Sequence, residues 1–246
     1  MTRAAIAAIA AATLLGGCAY NETLGRNQLL IVDDSALTQQ ADAAWAEALR
    51  TQRVSTDAAA NARIRRVGER IVQAAGLGDR RWDYALFVSD SPNAFVLPSG
   101  KIGVTTGLLA LTRNDDQLAT VLGHEVGHVV ARHAAERYST SAIASTVIRA
   151  GQGLAGDQAR AAGAIGGLGA QLGVLLPFSR NHELEADRLG VDYLQRAGYR
   201  PSEAVALWRL MAAQRQGSTP EFASTHPSDA SRIAALEAYI ASKGWS

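Results

Sequence analysis

A five-residue motif at residues 124–128, His-Glu-Val-Gly-His, constrains this chain more than any other part of its sequence. On an α-helix, residues four positions apart share one face, so the imidazoles of His124 and His128 can converge on a single cation. Glu125 lies about 100° around the helix from His124, which lets it reach a water molecule at that cation without ligating the cation itself. The spacing therefore predicts a metal site on a helix that runs from about Asn114 to Tyr138.

The apolar side chains of this predicted helix form one stripe, which consists of Leu118, Leu122, Val126 and Val129. Glu125 borders that stripe, so we expect partial desolvation to raise its pKa and to suit it to the role of a general base. Gly123 and Gly127 each cost the helix about 1 kcal/mol relative to alanine. We therefore expect another helix to approach their bare face closely.

The ligands available to a metal are limited by composition. Cys18 is the only cysteine, which excludes an intrachain disulfide and a zinc site of several cysteines, so histidine and carboxylate must hold any metal. A second predicted helix, Asn181 to Ala197, carries Glu183 and Asp187 four residues apart on one face. Glu183 can complete a site of two histidines and one glutamate, and Asp187 can accept the free N–H of a ligating histidine. Glu185 points about 200° away and is the weaker candidate.

Neither motif is decisive by itself. The alternative for residues 124–128 is a surface helix with two exposed histidines, and acidic pairs four residues apart are common on helices. The two motifs gain their weight from each other. His133 and His182 are interpreted as surface residues.

The remaining composition favours a mainly helical α+β fold. The 246 residues include 48 alanines and 23 glycines but only 14 aromatic residues, and small side chains suit closely packed helices better than an all-β sandwich. Strand signals occur in one region, where a turn at residues 98–100 separates the last two of three short runs: 84–89, 94–97 and 101–106. These runs predict a small antiparallel sheet before the metal-site helix. Further helices are predicted at residues 41–53, 58–75, 202–216 and 228–242.

The N-terminus has the pattern of a secretory signal, with a basic start, an uncharged run from Ala4 to Leu15 and the sequence Leu-Gly-Gly before Cys18. This pattern resembles a bacterial lipobox, with an uncleaved anchor or an incidental thiol as the alternative. We therefore predict a signal peptide at residues 1–17, a lipidated Cys18 with a tether over 18–40, and a single domain at 41–246 that contains the metal site. Ala19, in place of aspartate, favours a lipid-anchored location in the cell outer membrane, facing the periplasm.

Two other features limit the function less sharply. The net charge of +1, from 24 basic and 23 acidic residues, provides no electrostatic reason to expect nucleic acid as a partner. Residues 139–180 form a stretch rich in alanine, glycine and serine, which is interpreted as a lid, a membrane contact or a packing segment. The sequence leaves the oligomeric state open.

The histidine motif at residues 124–128 and the acidic motif at residues 183–187 together resemble those of the HtpX-like gluzincin zinc metallopeptidases, in particular the periplasmic lipoprotein members of the LoiP and BepA type. The resemblance rests on HEVGH, on SRNHELEADRLG at residues 179–190, and on further matches at residues 93–109 and 224–233, so that it covers most of residues 60–233. It implies a zincin-like fold with one zinc ion per chain. It also implies that His124, His128 and Glu183 ligate the zinc.

The resemblance implies roles for further residues. Glu125 would act as general base and then as proton donor, and Asp187 would orient a ligating histidine. The strand that contains Asn93, Ala94 and Phe95 would bind the substrate backbone by strand addition. His226 would stabilise the oxyanion or occupy the open coordination position and hold the enzyme off, whereas without the resemblance it is interpreted as a loop residue. Arg232 would face the cleft or pair with an acid.

These observations predict a zinc-dependent endopeptidase of the bacterial envelope that cleaves misfolded or outer-membrane proteins. Unfolded envelope polypeptides would be its substrates, and the lipid anchor would hold it to a membrane. The alternative from another class is a non-cleaving, chaperone-like or scaffold lipoprotein on a metallopeptidase fold. A lipoprotein with an incidental metal site is the third interpretation.

Overall fold

One buried helix, α4 (Asp115–Val130), organises the fold. The structure is a computed structural model that describes residues 18–152, 178–213, 222, 225–226 and 230–245. The described helices are α1 (Asp34–Thr51), α2 (Ala58–Ala74), α3 (Thr106–Leu111), α4, α5 (His133–Gln152), α6 (Arg180–Arg196), α7 (Ser202–Ala213) and α8 (Ala230–Ser242). The strands are β1 (Cys18–Asn21), β2 (Arg26–Leu29), β3 (Asp83–Phe87), β4 (Ala94–Leu97) and β5 (Lys101–Thr105). The prediction of a mainly helical α+β fold is confirmed.

Helix α4 is buried on every side from Gln117 to His128. It begins where the Asn114 side chain accepts a hydrogen bond from the backbone N–H of Gln117, and Asp115 and Asp116 in its first turn favour the positive end of the helix dipole. Beyond that turn, small and apolar residues on all faces allow α2, α6, α7 and β4 to pack around it. The metal-site motif therefore lies inside the molecule.

The metal-site helix ends earlier than predicted, at Val130 rather than near Tyr138. Arg132 adopts a left-handed conformation with φ of 56°, which interrupts the helix before α5 begins. Contacts with the N-terminal region stabilise this break, since Arg132 pairs with Asp34 and the Ala131 carbonyl accepts a hydrogen bond from Gln28. The break reorients the chain one residue before His133.

The predicted small sheet is present, although only one of its strand pairs is antiparallel. Strands β4 and β5 pair antiparallel across the turn that ends at Gly100, whose φ is +81°, whereas β3 pairs with β5 in parallel. The order is β3-β5-β4 because the segment between Phe87 and Ala94 carries the chain past the position that β5 later fills. Strand β4 is consequently an edge strand of the sheet.

Helices cover both faces of this sheet, because alternate residues of a strand point in opposite directions. Leu86, Ile102 and Val104 pack with α2 and α4 in the main core. On the other face, Phe87 and Leu97 pack against α1 in a smaller cluster with Trp45. This arrangement holds β4 next to α4, which is the contact that the site requires.

Glycines allow α4 and α6 to pack closely, as the bare face of the predicted helix suggested. A Cβ atom on Gly190 of α6 would lie 2.9 Å from the backbone nitrogen of His124, and a Cβ on Gly127 would lie 2.9 Å from the carbonyl oxygen of Ala186. Both distances are too short for carbon against backbone atoms. The two helices that carry the predicted ligands can therefore approach only where these side chains are absent.

We expect Gly190→Val to destabilise the protein by about 2–3 kcal/mol, because the added side chain would push α6 away from α4. Urea unfolding followed by circular dichroism would measure the change. Gly78→Val is the matched control, since Gly78 is exposed and a Cβ there meets only ordinary contacts with Gln73. Equal stability of Gly190→Val and wild type would show that the close approach is not required.

The N-terminal part of the described chain packs on the domain. Strands β1 and β2 form an antiparallel hairpin within the predicted tether, and α1 begins at Asp34 rather than near residue 41. The predicted signal peptide, residues 1–17, and the central part of the stretch over 139–180 lie outside the described residues. Within the described ranges, no helix combines the length and the apolar character that crossing a membrane requires.

Candidate metal centre

Four buried side chains from three regions of the chain converge behind the edge strand. Their ligand atoms, from His124, His128, Glu183 and His226, all lie within 4.8 Å of one another. The Nε2 atom of His124 is 3.1 Å from Nε2 of His128 and 3.2 Å from Nδ1 of His226. An oxygen of Glu183 lies 3.0 Å from the same His226 nitrogen and 3.4 Å from Nε2 of His128. Helix α4 supplies two of these residues and α6 the third.

The separations are close to those expected around a zinc ion. Ligand atoms held tetrahedrally at about 2.0–2.1 Å from zinc are about 3.3 Å apart; four of the separations here are 3.0–3.4 Å, and all of the ligand atoms lie within 4.8 Å of one another. Imidazole and carboxylate are also the ligand types that zinc accepts in place of cysteine. The cluster could therefore bind one metal ion, and its donor set is consistent with zinc, as predicted, whereas the role of each ligand stays a prediction.

The carboxyl group of Glu125 lies beside this cluster and is 4% exposed. Its Oε1 atom is 3.2 Å from Nε2 of His226. Burial raises the pKa of Glu125, against the smaller opposing effects of His226 and His124. A glutamate in this environment can take up a proton more readily than an exposed one.

His124 is held from behind by Asp187 and Arg232. Its Nδ1 atom is 2.9 Å from Oδ1 of Asp187, and Arg232 donates to the same oxygen at 2.8 Å. Burial opposes a charge on each group, but Arg232 lowers the pKa of Asp187 and the acids raise the pKa of Arg232. Burial likewise opposes protonation of His124, yet Glu183 and Asp187 raise its pKa to about 9. A metal would displace that proton.

The other helix-α4 histidine, His128, has a partner that sequence reasoning missed. Its Nδ1 atom is 2.9 Å from Nδ1 of His133, which is fully buried, and Nε2 of His133 is 2.9 Å from Glu185. His133 was interpreted as a surface residue, which is wrong, and Glu185 was the weaker acidic candidate. A continuous helix would turn His133 away from His128, so only the break at Arg132 could have revealed the contact.

Aromatic rings enclose the imidazoles. Phe178 stacks on His128 with ring centroids 3.9 Å apart, and Phe222 stacks on His226 at 4.6 Å. Trp208 meets His124 edge to face at 5.3 Å. Single aromatic residues carry no sequence signal for such a role, so none of the three was predicted. Their rings restrict the orientation of the imidazoles and keep water from their faces.

A cleft of about 400 Å³ leads to the cluster. One wall is the edge strand, including the predicted substrate-binding residues Asn93, Ala94 and Phe95, and α1 contributes to the lining of the cleft. Glu125 and His226 also line it. The structure thus brings the predicted substrate strand, base and metal ligands together, whereas Cys18 lies exposed in β1 and does not line the cleft.

Comparisons with known proteins identify relatives of this chain. The family described as Peptidase family M48 matches residues 58–240. The mitochondrial metalloendopeptidase OMA1 of Schizosaccharomyces pombe is 38% identical over 179 residues, which cover 72% of this chain and 52% of that relative. OMA1 of Saccharomyces cerevisiae is 38% identical over 156 residues, with coverages of 61% and 44%. The beta-barrel assembly-enhancing protease of Escherichia coli K12 is 32% identical over 179 residues, with coverages of 70% and 37%. The chain spans about half, or less, of the length of these relatives.

The predicted location in the cell outer membrane, facing the periplasm, is wrong. Relatives that are 38% identical to this chain, from Schizosaccharomyces pombe, Saccharomyces cerevisiae and Arabidopsis thaliana, are named as mitochondrial enzymes. Secretory signals and mitochondrial transit peptides share a basic character, so a short basic start does not by itself specify a membrane. The inference from Ala19 to the outer membrane therefore fails.

The match over residues 58–240 includes both predicted motifs, the strands β3 to β5 and the helices that pack around α4. The resemblance predicted from the motifs is thereby confirmed at the level of the family. The cluster adds four buried side chains that could hold one metal ion, with Glu125 beside them. The chain belongs to peptidase family M48.

Proposed function

We propose that this protein is a zinc-dependent endopeptidase that cleaves misfolded or unfolded polypeptides. The observation that carries the proposal is the convergence of four potential metal ligands beside a buried glutamate at an edge strand. The names of the relatives, two metalloendopeptidases and a protease, support hydrolysis of peptide bonds. Because these names point to different compartments, we define the substrates by their extended conformation.

In this proposal His124, His128 and Glu183 hold the zinc ion, which supplies Lewis-acid chemistry that polarises a peptide carbonyl and acidifies water. Glu125 takes the proton of the attacking water molecule and returns it to the departing amine. Its raised pKa brings it closer to the pH at which a general base works best. Asp187 fixes the orientation of His124 through the Nδ1 contact.

The substrate backbone would add to the outer edge of β4. The Thr105 backbone N–H in β5 donates to the Asn93 carbonyl, so the backbone groups of Phe95, two residues on, also face β5. The backbone groups of Val96 face the outer edge instead. Ala94, two residues earlier, directs its backbone to the same side, because backbone directions alternate along a strand. A polypeptide bound there would pass next to Glu125, and main-chain pairing would accept many sequences as long as they are extended.

His226 would occupy the fourth position of the resting site. Its Nδ1 atom lies with the other ligand atoms, and its Nε2 atom faces Glu125, so both nitrogens are engaged within the cluster. These contacts support the predicted role in which His226 holds the enzyme off. A polypeptide that reached Glu125 through the cleft would meet His226, which lines the same cleft, so His226 would have to move before cleavage.

Removal of the metal is expected to abolish cleavage of an unfolded substrate such as reduced, carboxymethylated casein. A chelator treatment followed by dialysis, and then addition of one equivalent of zinc, would test this expectation. Activity should return with zinc and not with magnesium, because the donor set is nitrogen-rich. Cleavage that persists in the metal-free protein would exclude the proposal.

The same casein assay distinguishes a peptidase from the main alternative, a non-cleaving scaffold. A protein that binds one zinc ion and retains casein without producing fragments would be a non-cleaving scaffold on a peptidase fold. The contacts of His226 with His124, Glu183 and Glu125 are the observation that favours a resting, non-cleaving state. Appearance of new N-termini in the casein digest, measured by mass spectrometry, would exclude this alternative.

Two statements about the N-terminus stay proposals that only the sequence pattern supports: a signal peptide at residues 1–17 and a lipidated Cys18 that anchors the chain to a membrane. The predicted boundary between a tether over 18–40 and a single metallopeptidase domain at 41–246 also stays a prediction, although β1, β2 and the first turns of α1 fall within the predicted tether. Mass spectrometry of the purified mature protein would reveal both the new N-terminus and any acyl groups on Cys18.

A further inference from the structure

The contact between His128 and His133 imposes a definite arrangement of protons. The Nε2 atom of His128 faces the other ligand atoms, so its Nδ1 atom is left to face Nδ1 of His133 at 2.9 Å. Two ring nitrogens at this distance form a hydrogen bond only when one carries a proton and the other does not. With Nε2 of His128 on a metal, the shared proton belongs to Nδ1 of His128.

That assignment determines the state of His133. Its Nδ1 atom must accept, so its own proton is on Nε2, and Nε2 lies 2.9 Å from Oε2 of Glu185. Glu185 accepts this proton as a carboxylate. The result is a row of hydrogen bonds that run in one direction, from His128 to His133 and from His133 to Glu185. Every nitrogen of the two imidazole rings then has a partner.

The hairpin at the N-terminal end of the described chain completes this arrangement. Arg26 of β2 donates from Nε to Oε1 of Glu185 at 2.6 Å and from Nη2 to Oε2 at 2.8 Å. The same guanidinium also donates twice to Glu136, at 2.7 and 2.9 Å. Glu185 is therefore held in place before His133 bonds to it.

We propose that His133 is a positioning residue that sets the tautomer and the orientation of His128 for metal binding, with Glu185 and Arg26 behind it. The proposal rests on the proposed zinc site. Each histidine of α4 then has a carboxylate and an arginine behind it. For His124 these are Asp187 and Arg232, and for His128 they are Glu185 and Arg26, which act through His133. Outer partners of this kind orient the ligand and increase its basicity.

Two substitutions of His133 separate hydrogen bonding from packing. His133→Phe keeps a ring of similar shape but removes the acceptor that faces His128. His133→Asn places a carbonyl oxygen near the position of the lost Nδ1 atom but leaves a smaller side chain. A positioning role therefore predicts that the asparagine variant binds zinc more tightly than the phenylalanine variant, whereas a packing role predicts the reverse order.

The affinity would be measured by competition of the metal-free protein with a chromophoric chelator for Zn²⁺. We expect His133→Phe to weaken zinc binding about 10–100-fold and His133→Asn to recover a large part of that loss. An exposed arginine provides the control for substitutions in this network: Arg50→Gln removes an exposed ion pair with Glu47 on α1, and we expect it to leave the zinc affinity within about twofold of wild type.

Thermal unfolding of each metal-free variant shows whether the fold itself is affected. If His133→Phe does not fold, Glu185→Gln and Arg26→Gln test the same series of hydrogen bonds. Both residues are partly exposed, and both substitutions should weaken zinc binding. Zinc affinity unchanged from wild type in His133→Phe, or in both substitutes, would overturn the proposal. So would a phenylalanine variant that binds more tightly than the asparagine variant.

Loss of the positioning role of His133 and loss of the proposed peptidase activity would give different results. Wild-type protein that binds zinc in a His133-dependent manner but cleaves no casein would retain the positioning role and exclude the peptidase activity. Cleavage that depends on Glu125, together with zinc binding that is indifferent to His133, would retain the peptidase activity and exclude the positioning role.

Discussion

Replacement of Glu125 by glutamine is expected to lower peptide cleavage about 10²–10⁴-fold, the range associated with loss of general acid–base catalysis. The amide has nearly the shape of the carboxylate and keeps a carbonyl oxygen that can accept a hydrogen bond. It cannot take up the proton of an attacking water molecule. The fourfold cluster of ligand atoms is left intact, so the zinc content should remain at one ion per chain.

Initial rates on casein and zinc content measured by atomic absorption would be compared on the same preparations. Glu47→Gln is the matched control, because Glu47 makes an exposed ion pair with Arg50 on α1 and lies away from the cluster. It should cleave at the wild-type rate. A Glu125→Gln protein that loses activity only in proportion to lost zinc would contradict the role of Glu125 as base.

Arg232→Met is expected to reduce the free energy of unfolding of the metal-free protein by about 3–5 kcal/mol. Arg232 is 2% exposed, and its Nη1 atom lies 2.7 Å from Glu183 while Nη2 lies 2.8 Å from Asp187. Methionine fills much of the same volume but leaves the two buried carboxylates with His124 as their nearest cationic partner. An uncompensated buried charge costs far more than a lost surface ion pair.

Urea unfolding at neutral pH would measure this loss. Arg209→Met is the matched control, because Arg209 forms an ion pair with Glu237 in which both side chains are exposed, and its removal should cost no more than about 1 kcal/mol. Similar unfolding curves for the two variants would show that Arg232 does not neutralise the acids. Added zinc should restore part of the stability of Arg232→Met, since the cation would supply positive charge beside Glu183.

Much of the metal centre could be predicted because its residues occur at short, regular spacings in the sequence. Residues four apart on a helix share a face whatever the rest of the fold does, so the pairs in α4 and α6 were predictable one at a time. The close packing of those helices was also predictable from Gly123 and Gly127, because interior glycines are costly unless another backbone approaches them. The existence of the small sheet followed from a cluster of short strand signals.

Other features depended on contacts between distant parts of the chain. The parallel pairing of β3 with β5 reflects the order in which strands fill the sheet, and residue types do not encode it. The location at the outer membrane was inferred from a short terminal pattern, and the mitochondrial names of 38% identical relatives overturned it. Such an address is recognised by cellular machinery and leaves no trace in the packing of the domain.

The sequence by itself determined that any metal would be held by histidine and carboxylate, and it placed two such pairs on single helical faces, because helix geometry is local. Only the tertiary structure decided that His226 joins them and that His133, through the break at Arg132, faces His128. It also decided that arginines neutralise the acids behind both histidines. These contacts join residues that are far apart in the chain, and burial makes each of them depend on the others, since a polar group removed from water must find its partner within the fold.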